Sequence, residues 1–157
     1  MSLPLGLRRL AYRTAHRALR GYWFLRRPEV DGVKCVLTRG ELILLVRHTY
    51  GRREWDLPGG AVKRAERPVD AAEREMSEEL GVEIRNWVAL GAVHARAYHR
   101  RDRLHCFQAE LADPRLTVDG AELAAVRWFG ARELPADVSG HVPAVLARVD
   151  GHRARGA

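Results

Sequence analysis

Residues 55–82 read WDLPGGAVKRAERPVDAAEREMSEELGV, and this stretch decides the fold. The proline and the two glycines at 58–60 exclude regular structure and predict a shaped loop that lets other groups approach the backbone closely. The run from Pro68 to Leu80 predicts a helix, with proline at an early position and Gly81 as its stop. The sequence therefore predicts a glycine-rich loop that leads into a helix.

Three acidic residues of this predicted helix, Glu75, Glu78 and Glu79, lie within one turn on one face. Like charges at these spacings repel one another, by a few tenths of a kcal/mol each on an exposed helix. Arg74 can offset Glu78, four residues further on, but one arginine does not neutralise three carboxylates. A set of oxygen ligands suits Mg²⁺ or Mn²⁺. A solvated acidic helix face is the alternative interpretation, and the adjacent glycine loop favours the metal site.

The flanking sequence predicts an α/β protein. Apolar and β-branched runs predict strands at 33–38, 42–48, 82–95, 104–111 and 122–129, and a short amphipathic helix is expected at 142–149. Together with helix 68–80, these elements predict a mixed sheet covered by helices on both faces. The two cysteines, Cys35 and Cys106, lie in apolar runs and are expected to be free, buried thiols of a reducing, cytoplasmic protein.

The fixed positions of this stretch also form a recognisable pattern. Gly60, Glu66 and the run Arg74–Val82 resemble the complete signature of the Nudix hydrolases, and Trp55–Gly60 and Trp128–Leu134 are similar to the flanks usual in that family. The resemblance covers roughly residues 30 to 149. It implies an α/β/α sandwich and a metal-dependent pyrophosphohydrolase. The substrate would be a nucleoside diphosphate linked to another group, such as a nucleotide, a nucleotide-sugar or a dinucleotide.

The resemblance also implies roles for individual residues. It implies metal ligands at the carbonyl of Gly60, Glu75, Glu78, Glu79 and, by position only, Glu122. One of the glutamates or a neighbour would help to deprotonate the attacking water, and Arg74 would orient the glutamates by ion pairing. Glu66 and Gly81 would complete the motif structurally. The implied cofactor is Mg²⁺ or Mn²⁺.

Two positions depart from the usual pattern. Arg67 stands before Pro68, where a helix of this kind favours serine or threonine as its N-cap. Ala65 stands where relatives commonly have glycine. Because neither residue faces the expected metal site, we expect an altered loop and retained chemistry.

Two basic and aromatic clusters are candidates for substrate recognition. They are Arg47, His48, Tyr50, Arg52 and Arg53 before the glycine loop, and Tyr98, His99, Arg100 and Arg101 after the helix. From these clusters we select Arg47, Arg53 and Tyr98 as candidate substrate-binding residues. For Tyr98, a hydrogen-bonded tyrosine in a solvated loop is an equally good interpretation. The spacing of the histidines at 94, 99, 105 and 141 does not indicate a zinc site.

The net charge of +7 is concentrated at the N-terminus. Residues 1–27 contain seven arginines and no acidic residue, so taking those seven from the 27 basic residues leaves 20, which equals the number of acidic residues. We therefore divide the chain into a basic amphipathic helical arm (1–28), a catalytic domain (29–150) and a polar tail (151–157). For the arm we favour packing on its own domain or on a second subunit in a homodimer. A nucleic acid and a membrane surface are the alternative partners.

Two alternatives to a free-standing hydrolase also remain open. One is a catalytically silent nucleotide-binding or interaction module of the same fold. The other is a hydrolase that the arm directs to RNA ends or to a membrane surface.

Overall fold

The computed structural model describes residues 4–26, 28–97, 99–112 and 115–156, and within them it contains three helices and five strands. In chain order these are α1 (Leu5–Arg26), β1 (Glu29–Arg39), β2 (Leu42–His48), α2 (Pro68–Leu80), β3 (Val88–Ala97), β4 (Arg100–Glu110), β5 (Leu123–Gly130) and α3 (Val142–Gly156). The strands form one sheet in the order β3-β4-β1-β2-β5. β1 and β4 pair in parallel and the other neighbours are antiparallel, so the sheet is mixed, as predicted.

The sheet separates two apolar cores because alternate residues of each strand face opposite sides. On one side, Met76 and Leu80 of α2 pack against the strands. On the other side, Val142 and Val145 of α3 do the same. The predicted α/β/α sandwich is confirmed.

Helix α2 spans 68–80, the range that the sequence predicts. Arg67 is its N-cap and makes no side-chain capping bond. Its guanidinium donates instead to the two carboxylate oxygens of Asp70, at 2.5 and 2.6 Å. Gly81 ends the helix with φ of 65°, and a β-carbon there would lie 2.7 Å from the Cβ atom of Thr117. The end of the helix therefore requires glycine both for its backbone conformation and for the close approach of Thr117.

Several element boundaries differ from the prediction. Strand β3 begins at Val88 and not at 82, although Val82 and Ile84 are buried in the core beneath α2. Their apolar alternation therefore reflects side-chain burial without strand pairing. Strands β1 and β4 each begin four residues earlier than predicted, and α3 continues to Gly156, so most of the expected polar tail is helical.

The N-terminal helix α1 is present, but its own domain does not bury its leucine stripe, which leaves packing on a second subunit as the untested half of the prediction. Leu7 and Leu10 are 52% and 55% exposed. The helix faces the domain with Tyr12, His16 and the buried Trp23. Among the described residues, no helix is both long enough and apolar enough to span a membrane.

Candidate metal and catalytic site

A buried ion pair holds the loop that precedes α2. Lys34 Nζ donates to Asp56 Oδ2 at 2.7 Å and to the Leu57 carbonyl at 3.0 Å. His141 Nε2 lies 2.8 Å from Asp56 Oδ1. Burial alone would raise the pKa of Asp56, but the attraction of Lys34 and the bond from His141 outweigh it and hold the pKa well below its usual range. The loop is thereby fixed to β1 and to the start of α3.

Backbone hydrogen bonds then lay the loop along β1. The N–H of Cys35 donates to the Pro58 carbonyl at 2.9 Å, and the N–H of Val33 donates to the Gly60 carbonyl at 2.8 Å. A β-carbon on Gly60 would lie 2.4 Å from the carboxyl carbon of Glu75, so only glycine allows that carboxylate to rest on the loop. Because Val33 already occupies the Gly60 carbonyl, only the second lone pair of that oxygen remains for a cation.

The three glutamates of α2 differ in exposure. Glu79 is wholly buried and Glu75 is 9% exposed, whereas the side chain of Glu78 is 56% exposed. The N–H of Gly59 donates to Oε2 of Glu79 at 3.1 Å. Oε1 of Glu79 is buried and has no hydrogen-bond partner among the described residues. Such an atom requires an explanation, since buried carboxylate oxygens are normally paired.

Arg74 joins the loop to the helix. Its guanidinium donates to Glu66 at 2.8 and 3.0 Å and to the Ala61 carbonyl at 2.9 Å. The same group contacts Glu75 at 2.6 Å and Glu78 at 3.3 Å. The hydrogen bonds that Glu66 accepts from Arg74 and from the N–H of Lys63 lower the pKa of Glu66 to about 2. Arg74 and Glu66 therefore stand where they can orient two of the three carboxylates.

A fourth carboxylate, Glu122, reaches the cluster from the loop before β5. The Tyr50 hydroxyl donates to its Oε1 at 2.8 Å. Burial, followed by repulsion from neighbouring carboxylates, raises the pKa of Glu122 and raises that of Glu79 well above its usual value. Burial also raises the pKa of Glu75. The cluster thus gathers more negative charge than the neighbouring cations neutralise.

One histidine joins these acids. His48, Glu79 and Glu122 each place a possible ligand atom within 4.8 Å of the other two. Burial lowers the pKa of His48 to about 4, and Lys34 adds to the effect, so the imidazole is neutral. Together with the unpaired Glu79 oxygen, this donor set fits a divalent cation.

Two of the three candidate substrate residues, Arg47 and Arg53, lie in the described part of the chain. Arg47 lies on the sheet face opposite α2, where it pairs with Asp137 at 2.5 Å and its guanidinium lies 4.6 Å from the centre of the Trp55 ring. Arg53 is exposed in the loop after β2. Tyr98 lies outside the described residues. A cleft of about 310 Å³ is lined by Arg20 of α1, by Gly51 and Arg52 of the loop after β2, and by His99.

Sequence reasoning missed the roles of Tyr50 and His48 in this cluster. It placed both residues among groups that could contact phosphate. A usable signal exists for His48, because it follows Leu44 and Val46 in strand alternation, and those two residues face α2. For Tyr50, which lies beyond the end of β2, strand alternation provides no such signal.

Comparison with known proteins identifies relatives of this chain. The model of the NUDIX domain family matches residues 26–148. A Bacillus subtilis (strain 168) protein with the provisional name 8-oxo-dGTP diphosphatase is 32% identical over 103 residues, which cover 64% of this chain and 65% of that protein. An ADP-ribose pyrophosphatase from Mycobacterium tuberculosis (strain ATCC 25618 / H37Rv) is 44% identical over 50 residues, 31% of this chain and 24% of that protein. The matched region is therefore less than two thirds of either relative.

A solved structure extends the comparison to the fold. The crystal structure of a MutT NUDIX hydrolase from Burkholderia pseudomallei superposes with a TM-score of 0.71 at 25% identity. The superposition covers 77% of this chain and 98% of that one. The similarity therefore spans nearly the whole of that solved chain.

Proposed function

This chain belongs to the NUDIX domain family, and from that membership we propose that it is a divalent-metal-dependent pyrophosphohydrolase. It would cleave the phosphoanhydride of a nucleoside diphosphate linked to another group. The relatives described above are named for activity on 8-oxo-dGTP and on ADP-ribose, both of which contain such a linkage. The family resemblance and the geometry of the acidic cluster support the same reaction class.

The observation that carries the proposal is the unpaired, wholly buried oxygen of Glu79 amid other carboxylates. Burying several acids together is unfavourable unless a cation neutralises them. Glu75, Glu78, Glu79 and Glu122 would hold the ion, with the Gly60 carbonyl as a further candidate ligand. A bound Mg²⁺ or Mn²⁺ would supply positive charge to the phosphate oxygens and would acidify a water molecule.

The protein's own groups position this chemistry. Arg74 holds Glu75 and Glu78 in place, while the N–H of Gly59 holds Oε2 of Glu79 and leaves Oε1 free. In the metal-free protein, burial raises the pKa of Glu75, Glu79 and Glu122. A bound cation would lower these pKa values again, because it stabilises the charged carboxylates. One of the glutamates of this cluster, or a neighbouring residue, would accept the proton of the attacking water.

The test is hydrolysis by the purified full-length chain. We would incubate it with Mg²⁺ or Mn²⁺ and a panel of ADP-ribose, 8-oxo-dGTP, nucleotide-sugars and dinucleoside polyphosphates, and identify the products by mass. Running the reaction in ¹⁸O-labelled water would show which phosphorus is attacked. Folded protein that turns over none of them would contradict the proposal, and tight binding of a nucleotide without products would favour a silent binding module.

We propose further that α1 mediates a homodimer. Its leucine stripe is exposed on the chain's own domain, and apolar helix faces of this kind are normally buried against another surface. Light scattering should show a dimer for the natural chain and a monomer for Leu7→Ser/Leu10→Ser, with Val118→Ser as the control for an exposed apolar residue. A monomeric natural chain contradicts this proposal. Loss of vesicle or RNA binding in the double variant would instead assign the stripe to those partners.

We place the protein in a reducing compartment, the cytoplasm. Cys35 and Cys106 are free and lie in the two different cores, on opposite sides of the sheet. Burial raises the pKa of Cys35 above its usual range and that of Cys106 to about 11, so both thiols stay protonated and unreactive. Fractionation of cells that express the tagged chain would test this location.

A further inference from the structure

The end of β2 places a histidine against the acidic cluster. His48 is the last residue of the strand and follows Leu44 and Val46 on the face that packs against α2. The pairing of β2 with β5 shifts register between Arg47 and His48. Arg47 pairs with Ala125 and His48 pairs with Leu123, so the extra residue is on β5 and the alternation of β2 continues to His48. Beyond the shift, the N–H of Thr49 donates to the Glu122 carbonyl at 2.8 Å, so Glu122 lies alongside the end of β2.

Two buried polar atoms of this group lack partners among the described residues. Nδ1 of His48 and Oε1 of Glu79 are both buried, and neither has a hydrogen-bond partner among the described residues. The ring of His48 packs against Tyr50, with centroids 5.2 Å apart and the planes at 40°. That contact accounts for the position of the ring but leaves its buried nitrogen unexplained.

The side chains of His48, Glu79 and Glu122 are close enough to share one cation. The three possible ligand atoms of His48, Glu79 and Glu122 lie within 4.8 Å of one another. Ligand atoms bonded to one divalent ion lie roughly 3 to 4 Å apart, because each bond is about 2.0 to 2.2 Å long. Small side-chain movements therefore suffice to bring the three atoms onto one ion.

We infer that His48 is a nitrogen ligand of the divalent-ion site, together with Glu79 and Glu122. The inference rests on the proposed function, since it requires the carboxylates to hold a cation. Mg²⁺ prefers oxygen ligands in near-ideal octahedral geometry, whereas Mn²⁺ and the later transition metals bind imidazole more readily. The nitrogen donor therefore biases this site towards Mn²⁺ or another transition metal over Mg²⁺.

Pulsed electron paramagnetic resonance of Mn²⁺ bound to the full-length chain tests the inference directly, because a coordinated nitrogen modulates the electron spin echo. We expect ¹⁴N modulation in the natural chain, and its replacement by ¹⁵N modulation when the histidines are labelled with ¹⁵N. This labelling step needs no substitution and is independent of folding. The modulation should persist in the matched control His105→Gln, whose side chain lies 2.8 Å from Asp31.

The variant His48→Gln should lose the modulation. We expect its Mn²⁺ affinity, measured by calorimetry, to fall by roughly tenfold to hundredfold, with a smaller change for Mg²⁺. Bound Mn²⁺ without nitrogen modulation in the natural chain would overturn the inference and leave the proposed function intact. Absence of Mn²⁺ and Mg²⁺ binding in the natural chain would overturn both.

Discussion

The Tyr50 hydroxyl donates a 2.8 Å hydrogen bond to Oε1 of Glu122, so a residue outside the acidic motif orients one of the clustered carboxylates. Helix α1 covers the tyrosine. The ring of Tyr12 stacks nearly parallel on it at 5.9 Å, and the ring of His16 lies 5.2 Å away. Arg8 adds an ion pair of 2.9 Å to Asp119, three residues before Glu122. The N-terminal helix is therefore part of the support of the candidate site.

Replacing Tyr50 by phenylalanine tests this support. The ring and its stacking remain, but Glu122 loses the donor that orients it. We expect Mn²⁺ affinity and kcat/KM to fall by about tenfold or more, as happens when other residues that hydrogen-bond to a metal ligand and orient it are lost. Calorimetry and steady-state kinetics measure both, with the exposed Tyr22→Phe as the control. Unchanged affinity would show that Glu122 needs no orienting group.

Glu79→Gln should separate catalysis from stability. Loss of this carboxylate should reduce turnover by roughly 10² to 10⁴-fold. In metal-free buffer the free energy of unfolding should stay equal or rise, because a buried charge among like charges is removed. Urea unfolding in EDTA and a hydrolysis assay measure the two effects, with Glu83→Gln as the exposed control. A strongly destabilised metal-free variant would contradict this account of the cluster.

The pH dependence of the metal-free protein follows from the same carboxylates. The folded-state pKa values of Glu75, Glu79 and Glu122 are raised above those of the unfolded chain. Their contribution to stability is therefore fully present below about pH 4.5 and is lost as the pH rises through the folded values. His48 acts in the opposite sense between about pH 4 and 6.5, because burial lowers its pKa to about 4. In a titration from pH 5 to 8 in EDTA, we therefore expect the free energy of unfolding of the natural chain to fall relative to that of Glu79→Gln. Saturating Mn²⁺ should restore stability at the upper end of the range.

The buried pair beneath the loop is expected to be sensitive to removal of one partner. Asp56→Ala leaves the ammonium of Lys34 buried without its carboxylate and should cost about 3 to 5 kcal/mol. The surface pair of Arg47 and Asp137 provides the contrast, since Asp137→Ala should cost at most about 1 kcal/mol. Chemical denaturation gives both values. Similar losses in the two variants would contradict the difference in burial.

Ala65 occupies a left-handed conformation with φ of 61°, which is unfavourable for a residue with a β-carbon. Ala65→Gly relieves this strain but makes the unfolded chain more flexible, so the net gain should be about 0.5 to 1 kcal/mol. Thermal unfolding measures it, and turnover should be unchanged because Ala65 is exposed and is not part of the carboxylate cluster described above. A lower melting temperature would show that the strain at this position is small.

Local sequence determines the loop and the helix of the motif. Pro68 and Gly81 set the limits of α2, and the spacing of Glu75, Glu78 and Glu79 places them on one face wherever the helix packs. The predicted strand over 82–95 is wrong at residues 82–87, which do not form a strand, and this difference has a physical reason. Side chains can alternate between core and solvent without a partner strand, and only pairing makes a segment a strand.

The sequence by itself determined the order of helices and strands, which indicates the fold class, and the identity of the acidic helix, because apolar patterns and helix limits are local properties of the chain. Only the tertiary structure decided that His48 and Tyr50 approach the carboxylates and that Arg47 faces away from them. It also decided that α1 faces the domain with Tyr12, His16 and Trp23 and leaves its leucines exposed. Those outcomes depend on which distant segments meet at the end of the sheet. Residues such as Tyr50 and Glu122, far apart in the chain, become neighbours only when β2 and β5 pair.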